Sequence, residues 1–309
     1  TIRPLVAAHP GVSGLVALDE GGDAFAARIQ LAEAAEHTID AQYYIWGKDL
    51  AGRLLAQRLF VAADRGVQVR VLLDDVELTP SDVPWLALDS HPNIKIRVFN
   101  AFRTRANAGW RRLVEGLFDF RRLNQRMHNK SLTIDDSATV VGGRNIGNAY
   151  FGLDPRANFR DLDVLATGAA AGAVRASFDA FWDSHHARPL VELARVRFTP
   201  LRRLRSRQRL DRFARRALLE LTGSEWNDTV VRSHLDRCTA RLAGAQVQVL
   251  TDHPDKLSGA SSPIADGFAA MCAGASRELL IESAYFVPGT AGIEGLAALC
   301  ARGVRVRVA

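Results

Sequence analysis

The chain has 309 residues, 48% of them hydrophobic, which is enough for two domains of ordinary size with real cores. A formal net charge of +6 and a pI near 9.6 point to an anionic partner, whether anionic lipid, nucleic acid or a phosphorylated small molecule, and charge alone does not choose among them. No uninterrupted apolar run approaches the ~20 residues that cross a bilayer, and Cys238, Cys272 and Cys300 are too few and too scattered for a disulfide framework or a metal site.

The chain opens without a methionine and without the charged, apolar and small-residue zones of a signal peptide, so no targeting segment is expected within these residues. Asp23 suits the N-cap of a helix on which Phe25, Ile29 and Ala32 fall at helical spacing. Thr38 to Ile45 is rich in β-branched and aromatic residues and reads as a strand. Leu50 to Arg65 reads as a helix closed by Gly66, and Val67 to Leu73 as a second strand ending at Asp74-Asp75. Strand, helix, strand implies a parallel pair with a right-handed crossover, hence an α/β sheet, to which Ile94 to Phe99 adds a further strand. Between Phe102 and Leu123 the residues Ala106, Trp110, Leu113, Leu117 and Phe120 recur three or four apart among arginines. A helix packing that stripe on the core is favoured over one lying on a membrane surface with its tryptophan at the headgroups.

The stretch that carries chemistry runs from Met127 to Asn145. Alternation from Met127 to Ile134, a polar Asp135-Asp136-Ser137 turn, and Ala138 to Val141 running into Gly142-Gly143 predict a β-hairpin. Strand side chains alternate faces, so His128 and Lys130 point the same way while Asp135 has the opposite parity. An imidazole beside a fixed ammonium suits attack on a phosphodiester, because the cation neutralises phosphate charge that would repel the nucleophile. Across the turn, Asn145 has an amide N–H to offer the same phosphate. The competing reading is an ordinary surface hairpin with a stray His and Lys. Lysine usage argues against it: only Lys48, Lys95, Lys130 and Lys256 are lysines among 40 basic residues, and one of them stands where a compact point charge suits the task.

His128, Lys130 and Asp135 at His-x-Lys-x4-Asp spacing, followed by Gly142-Gly143-Arg144-Asn145, resemble the signature of the phospholipase D superfamily. The run from Asp119 to Asn124 into Arg126-Met127-His128 resembles its cardiolipin synthase branch.

After the hairpin, Tyr150-Phe151-Gly152 leads to a loop, and Phe159 to Val164 resumes strand character. The resemblance implies a carboxylate on this strand that bonds the far nitrogen of the nucleophilic histidine; Asp161 is the choice, and Asp163, of the same parity, stays open beside it. Ala173 to Trp182 reads as a helix, and His185-His186 as surface histidines without metal-ligand spacing around them. Between Arg188 and Arg216 lie 11 arginines and no lysine, a composition shift that marks an inter-domain segment and reads either as a cationic face for anionic lipid or as a solvated helix face.

The second half restates the first. Ile281 to Val287 matches Ile39 to Ile45, and Arg302 to Val308 matches Arg65 to Val71, at internal offsets of 242 and 237 residues. Carried forward from His128, the offset puts a second histidine motif near ~365. The expected architecture is therefore an α/β fold of phospholipase D type, a mixed or parallel sheet flanked by helices, in duplicated lobes with the second truncated. Residues 1–187 form the first lobe, 188–245 the Arg-rich segment and 246–309 the start of the second lobe.

The resemblance implies a phosphatidyltransferase that moves a phosphatidyl group between phospholipids through a phosphohistidine on His128, without metal or other cofactor. Lys130 and Asn145 hold the phosphate, Gly143 stands where the family often has a serine contact, Asp161 orients His128, and Asp135 braces the hairpin. The implied partners are a phospholipid substrate and an anionic bacterial membrane held peripherally. A nucleic-acid phosphodiesterase ranks second, since aromatics make up only 7% of the chain. The same residues also suit a homodimer that pairs single motifs, or a membrane-binding fragment without the general acid.

Overall fold

A strand at the centre of a sheet is covered on both faces, and Ile39 to Tyr43 is buried at every position. The computed structural model describes residues 11–76, 83–102, 126–193, 199–222, 233, 237, 240–255, 262–283 and 286–309. Apart from Phe102, the helix expected up to Leu123 lies outside the described residues. Two units result, Thr1–Val249 and Leu250–Ala309.

In the first unit the strands are β1 (Ser13–Leu18), β2 (Thr38–Tyr43), β3 (Gln68–Asp74), β4 (Ile94–Phe99), β5 (Ser131–Ile134), β6 (Ala138–Gly142), β7 (Asp163–Gly168), β8 (Ala187–Pro189) and β9 (Ala243–Ala245). They form one sheet in the order β8-β4-β3-β2-β5-β6-β7-β1-β9. β2, β3 and β4 run parallel, and β5 returns antiparallel along β2. Helices α1 (Gly21–Ala34), α2 (Leu50–Asp64), α3 (Val83–Asp89), α4 (Ala169–Trp182) and α5 (Pro200–Thr222) flank it. Asp49 caps α2 by accepting the Gly52 N–H at 3.1 Å.

Three boundaries differ from the sequence reading. Helix α1 begins at Gly21, so Asp23 lies buried in its first turn, 3.2 Å from Arg237, and does not cap it. The hairpin strand starts at Ser131, because the Met127 N–H is taken by the Asp74 carboxylate at 3.0 Å and not by a neighbouring strand. The following strand starts at Asp163, leaving Phe159 and Leu162 more than half exposed. The turn itself is as read: Ile134 pairs with Ala138 across the three residues Asp135-Asp136-Ser137, of which Asp135 and Asp136 have left-handed φ of 48° and 55°, and Ser137 N bonds Ile134 O at 2.9 Å.

The second unit places α6 (Pro263–Ala273) before β10 (Glu278–Ile281), α7 (Gly289–Ala301) and β11 (Arg305–Val308), with β10 and β11 parallel. This repeats α1-β2-α2-β3 in detail. Gly66 and Gly303 both close a helix at positive φ, 99° and 82°, where a side chain would be strained. The arginine before each reaches back to the end of the preceding helix: Arg65 donates to Ala32 O and Ala35 O, and Arg302 to Ala273 O and Ala275 O.

Candidate active site

The site lies where β2 ends and the segment before β5 begins. Below it, Asp74 at the end of β3 accepts from Met127 N and from Arg126, both at 3.0 Å, and so fixes the backbone that presents His128. Burial pushes the Asp74 carboxyl up to about 6, against the pull of Arg126 and the Met127 N–H.

His128 is exposed, and Lys130, two residues on and facing the same way, is buried at 6% exposure. The Lys130 Nζ lies 2.9 Å from His128 Nδ1 and donates to His128 O at 2.7 Å. Burial pulls the ammonium down to about 8, and the charge of Asp161 pulls it partly back up. Tyr44, which sequence reasoning did not single out, completes the cluster. Its ring centroid stands 4.9 Å from that of His128 and 5.6 Å from Lys130 Nζ. The signal that could have found it is its place just past the carboxyl end of a central parallel strand, where open α/β sheets collect ligands.

Gly143 and Asp161 come together beside this pair. A Cβ on Gly143 would collide with Asp161 Oδ1, and one on Gly142 with Asp163 Oδ1, so the two glycines make room for the two carboxylates. The carboxylates then part. Asp161 accepts the Leu162 N–H at 2.8 Å and reaches the reactive pair through its charge on Lys130. Asp163 is fully buried between Arg28 at 2.9 Å and Arg144 at 3.6 Å, which commits it to the interior. Arg144 in turn donates to Leu18 O and Asp19 O, and Arg28 to the Tyr43 hydroxyl, tying β1, β2 and β7 under the site.

Asn145 is held from two sides. Its oxygen accepts the Ile45 N–H and its nitrogen donates to the Tyr150 hydroxyl, each at 3.0 Å, so this buried side chain holds the strand carrying Tyr44 and has one further N–H to offer. Asp135 lies at the opposite end of β5 from the histidine. Its carboxylate accepts three backbone N–H groups, from Glu36, His37 and Thr38 at 2.8 to 2.9 Å, and clamps the turn onto the start of β2. Among the described residues no helix is long and apolar enough to cross a membrane.

A family model described as the cardiolipin synthase, PLD-like domain matches residues 28–182. The chain is 40% identical to cardiolipin synthase C of Escherichia coli over 316 aligned positions, covering 99% of this chain and 64% of that one. It is 25% identical to the major cardiolipin synthase of Bacillus subtilis, covering 94% of this chain and 50% of that one. The chain thus spans half to just under two thirds of the length of these relatives. In fold it resembles a solved phosphatidylserine synthase of Haemophilus influenzae, with a TM-score of 0.60 at 13% identity, over 100% of this chain and 65% of that one.

Proposed function

The chain belongs to the cardiolipin synthase family of PLD-like domains, and from that premise we propose that it carries the nucleophile of a phosphatidyl transfer between two phospholipids. The observation that carries the reading is the exposed imidazole of His128 with a buried ammonium 2.9 Å from its Nδ1. With Nδ1 turned to Lys130, Nε2 is the nitrogen directed at substrate. For Nε2 to hold the lone pair, the ring proton must sit on Nδ1. The ammonium therefore turns from Nδ1 to the phosphate as substrate binds, and the carboxylate of Asp161, already acting on that ammonium, takes its place beside the imidazole.

Nε2 then attacks phosphorus, the bond to the headgroup oxygen breaks, and Lys130 with the spare N–H of Asn145 holds the phosphoryl oxygens. The leaving alkoxide needs a proton, which the resemblance assigns to a second histidine motif. The hydroxyl of a second phospholipid attacks the phosphohistidine, the P–N bond breaks, and the imidazole is regenerated. Tyr44 shields one face of the ring, and Asp135 braces the hairpin without touching substrate. The arginines of α5 suit a peripheral seat on an anionic bacterial membrane, where each exposed cation contributes up to about 1 kcal/mol.

The test is a trap. With a phosphodiester labelled on the retained phosphoryl group, an alkaline denaturing quench after brief mixing should show a base-stable protein adduct that is released on later acidification, and His128→Ala should lose it. Label retained in His128→Ala places the nucleophile elsewhere.

A further inference from the structure

Helices α2, α3 and α5 enclose a cavity of about 390 Å³ that the chemistry at His128 does not use. Its walls are Trp46, Phe60, Trp85, Leu88, Leu210 and Phe213. Trp46 and Trp85 meet edge to face with centroids 5.2 Å apart, and the Trp46 indole N–H is already spent on Gly52 O at 2.9 Å, so both rings are available as apolar surface. The volume is within the ~300–1,000 Å³ range of small-molecule sites. The charged groups at its edge have one sign: Lys48, Arg53, Arg207 and Arg209 line it, and none of its described lining residues is acidic. Arg207 is paired with Asp64 at 2.7 Å. Arg53 lies over the Phe213 ring at 4.7 Å, and among the described residues neither it nor Arg209 has a carboxylate within ion-pair distance.

This combination selects the ligand. Among the described lining residues Ser206 supplies the one hydroxyl and none brings a side-chain amide or carboxylate, so a sugar or a nucleobase would bury donors and acceptors with few partners. A hydrocarbon chain has none to satisfy. Two exposed guanidinium groups at the rim, without a carboxylate partner among the described residues, favour negative charge at the end of that chain. We propose that the cavity takes one acyl chain of an anionic phospholipid drawn from the membrane, its phosphate resting on Arg53 and Arg209. The site is separate from the reactive pair and does not depend on the role assigned to His128. Trp46 joins the two physically: it lies two residues beyond Tyr44 and is bridged to Ile146, next to Asn145.

Trp46 and Trp85 make the site readable by fluorescence. Vesicles of phosphatidylglycerol with bromine in mid-chain should quench the full chain's tryptophan emission, and the quenched component should shrink in Trp85→Phe and disappear when Trp46→Phe is added to it. Ala87→Phe from α3 and Ser206→Phe from α5 fill the cavity from opposite walls. Either should co-sediment with the vesicles like the parent protein and yet lose most of the quench, and agreement between the two guards against one failing to fold. Arg53→Ala and Arg209→Ala should each weaken vesicle affinity about fivefold. His128→Ala should quench like the parent even where phosphoryl trapping is gone. Undiminished quenching in both filled variants, equal quenching by brominated phosphatidylcholine, or quenching by a brominated free fatty acid and not by the phospholipid would each overturn the proposal.

Discussion

The buried ammonium of Lys130 sets a pH at which the reactive pair should fail. Burial places its pKa at about 8, against 10.5 for an exposed lysine. At pH 7 the ammonium then outnumbers the amine roughly ten to one, and at pH 9 the ratio is roughly reversed. If the charge must be present to receive the phosphate, the second-order rate of phosphohistidine formation falls about tenfold per pH unit above 8. Bound phosphate favours the charged form, so the corresponding limb at saturating substrate should lie higher. The assay is release of the aryl group from an aryl phosphodiester in a single turnover, from pH 6.5 to 10, where the leaving group needs no general acid. Stability provides the control. The folded pKa lies below the unfolded one, so this group destabilises the fold while charged, and the penalty is relieved as pH rises from about 8 through 10.5. Activity should therefore fall while this group's contribution to the melting temperature rises. Lys130→Arg, which does not titrate here, should be slower at pH 7 because a planar fork replaces a point charge, and its alkaline limb at 8 should be gone. A flat rate profile across pH 8, or a limb that persists in Lys130→Arg, refutes the assignment.

Gly143→Ala puts a Cβ where Asp161 Oδ1 now sits, so the carboxylate must swing away and Lys130 loses the charge that raises its pKa. Trapping should slow, and the alkaline limb should move below 8 with little change in melting; an unmoved limb counts against the Asp161 contact. Asp135→Ala strips the acceptor from three backbone N–H groups and puts alanine at positive φ, which should cost about 1–3 kcal/mol in denaturant unfolding while trapping per folded molecule is kept. Loss of trapping at full folding would make Asp135 more than a brace. Binding to anionic vesicles should weaken between 50 and 500 mM salt, as expected for exposed arginines screened within about 8 Å near 0.15 M, and equal binding to neutral vesicles would remove α5 from the membrane reading.

The parts of this fold that sequence shows are those written in local periodicity. Strand β2, helix α2 and strand β3 follow from apolar spacing and Gly66, and the parallel pairing follows from their order. The shared face of His128 and Lys130 is likewise a two-residue relation, and the structure turns it into a 2.9 Å contact. What escaped was set by groups far apart in the chain. Tyr44 meets His128 only because β5 returns along β2. The alternation beginning at Met127 resembled a strand, but period two cannot tell a ladder from an extended segment pinned by a carboxylate. Asn145 was expected to face phosphate, and no local pattern could show that Ile45 and Tyr150 would claim most of its amide.

A common device holds several connecting segments of this fold in shape. Each leaves backbone N–H groups without a ladder partner, and an aspartate from elsewhere supplies the acceptor. Asp74 takes Met127, Asp75 takes Phe102, Asp49 takes Asn148, and Asp135 takes Glu36, His37 and Thr38. A carboxylate suits this task because its charge shortens and strengthens the bond, and because aspartate is too short to wander. The arrangement leaves His128 on a backbone whose position depends on a carboxylate with a pKa near 6. Asp74→Asn keeps an acceptor for the Met127 N–H and removes the charge that holds Arg126. It should therefore slow trapping chiefly by loosening the segment that aims the imidazole, and its loss relative to the parent should be full at pH 7 and shrink towards pH 5, where the parent's own Asp74 has gained a proton. In the parent protein the same loosening should set in as pH falls through 6. A variant-to-parent ratio that stays level from pH 7 down to pH 5 would show that the Met127 contact survives protonation of Asp74 and that the aim of His128 is fixed by other bonds.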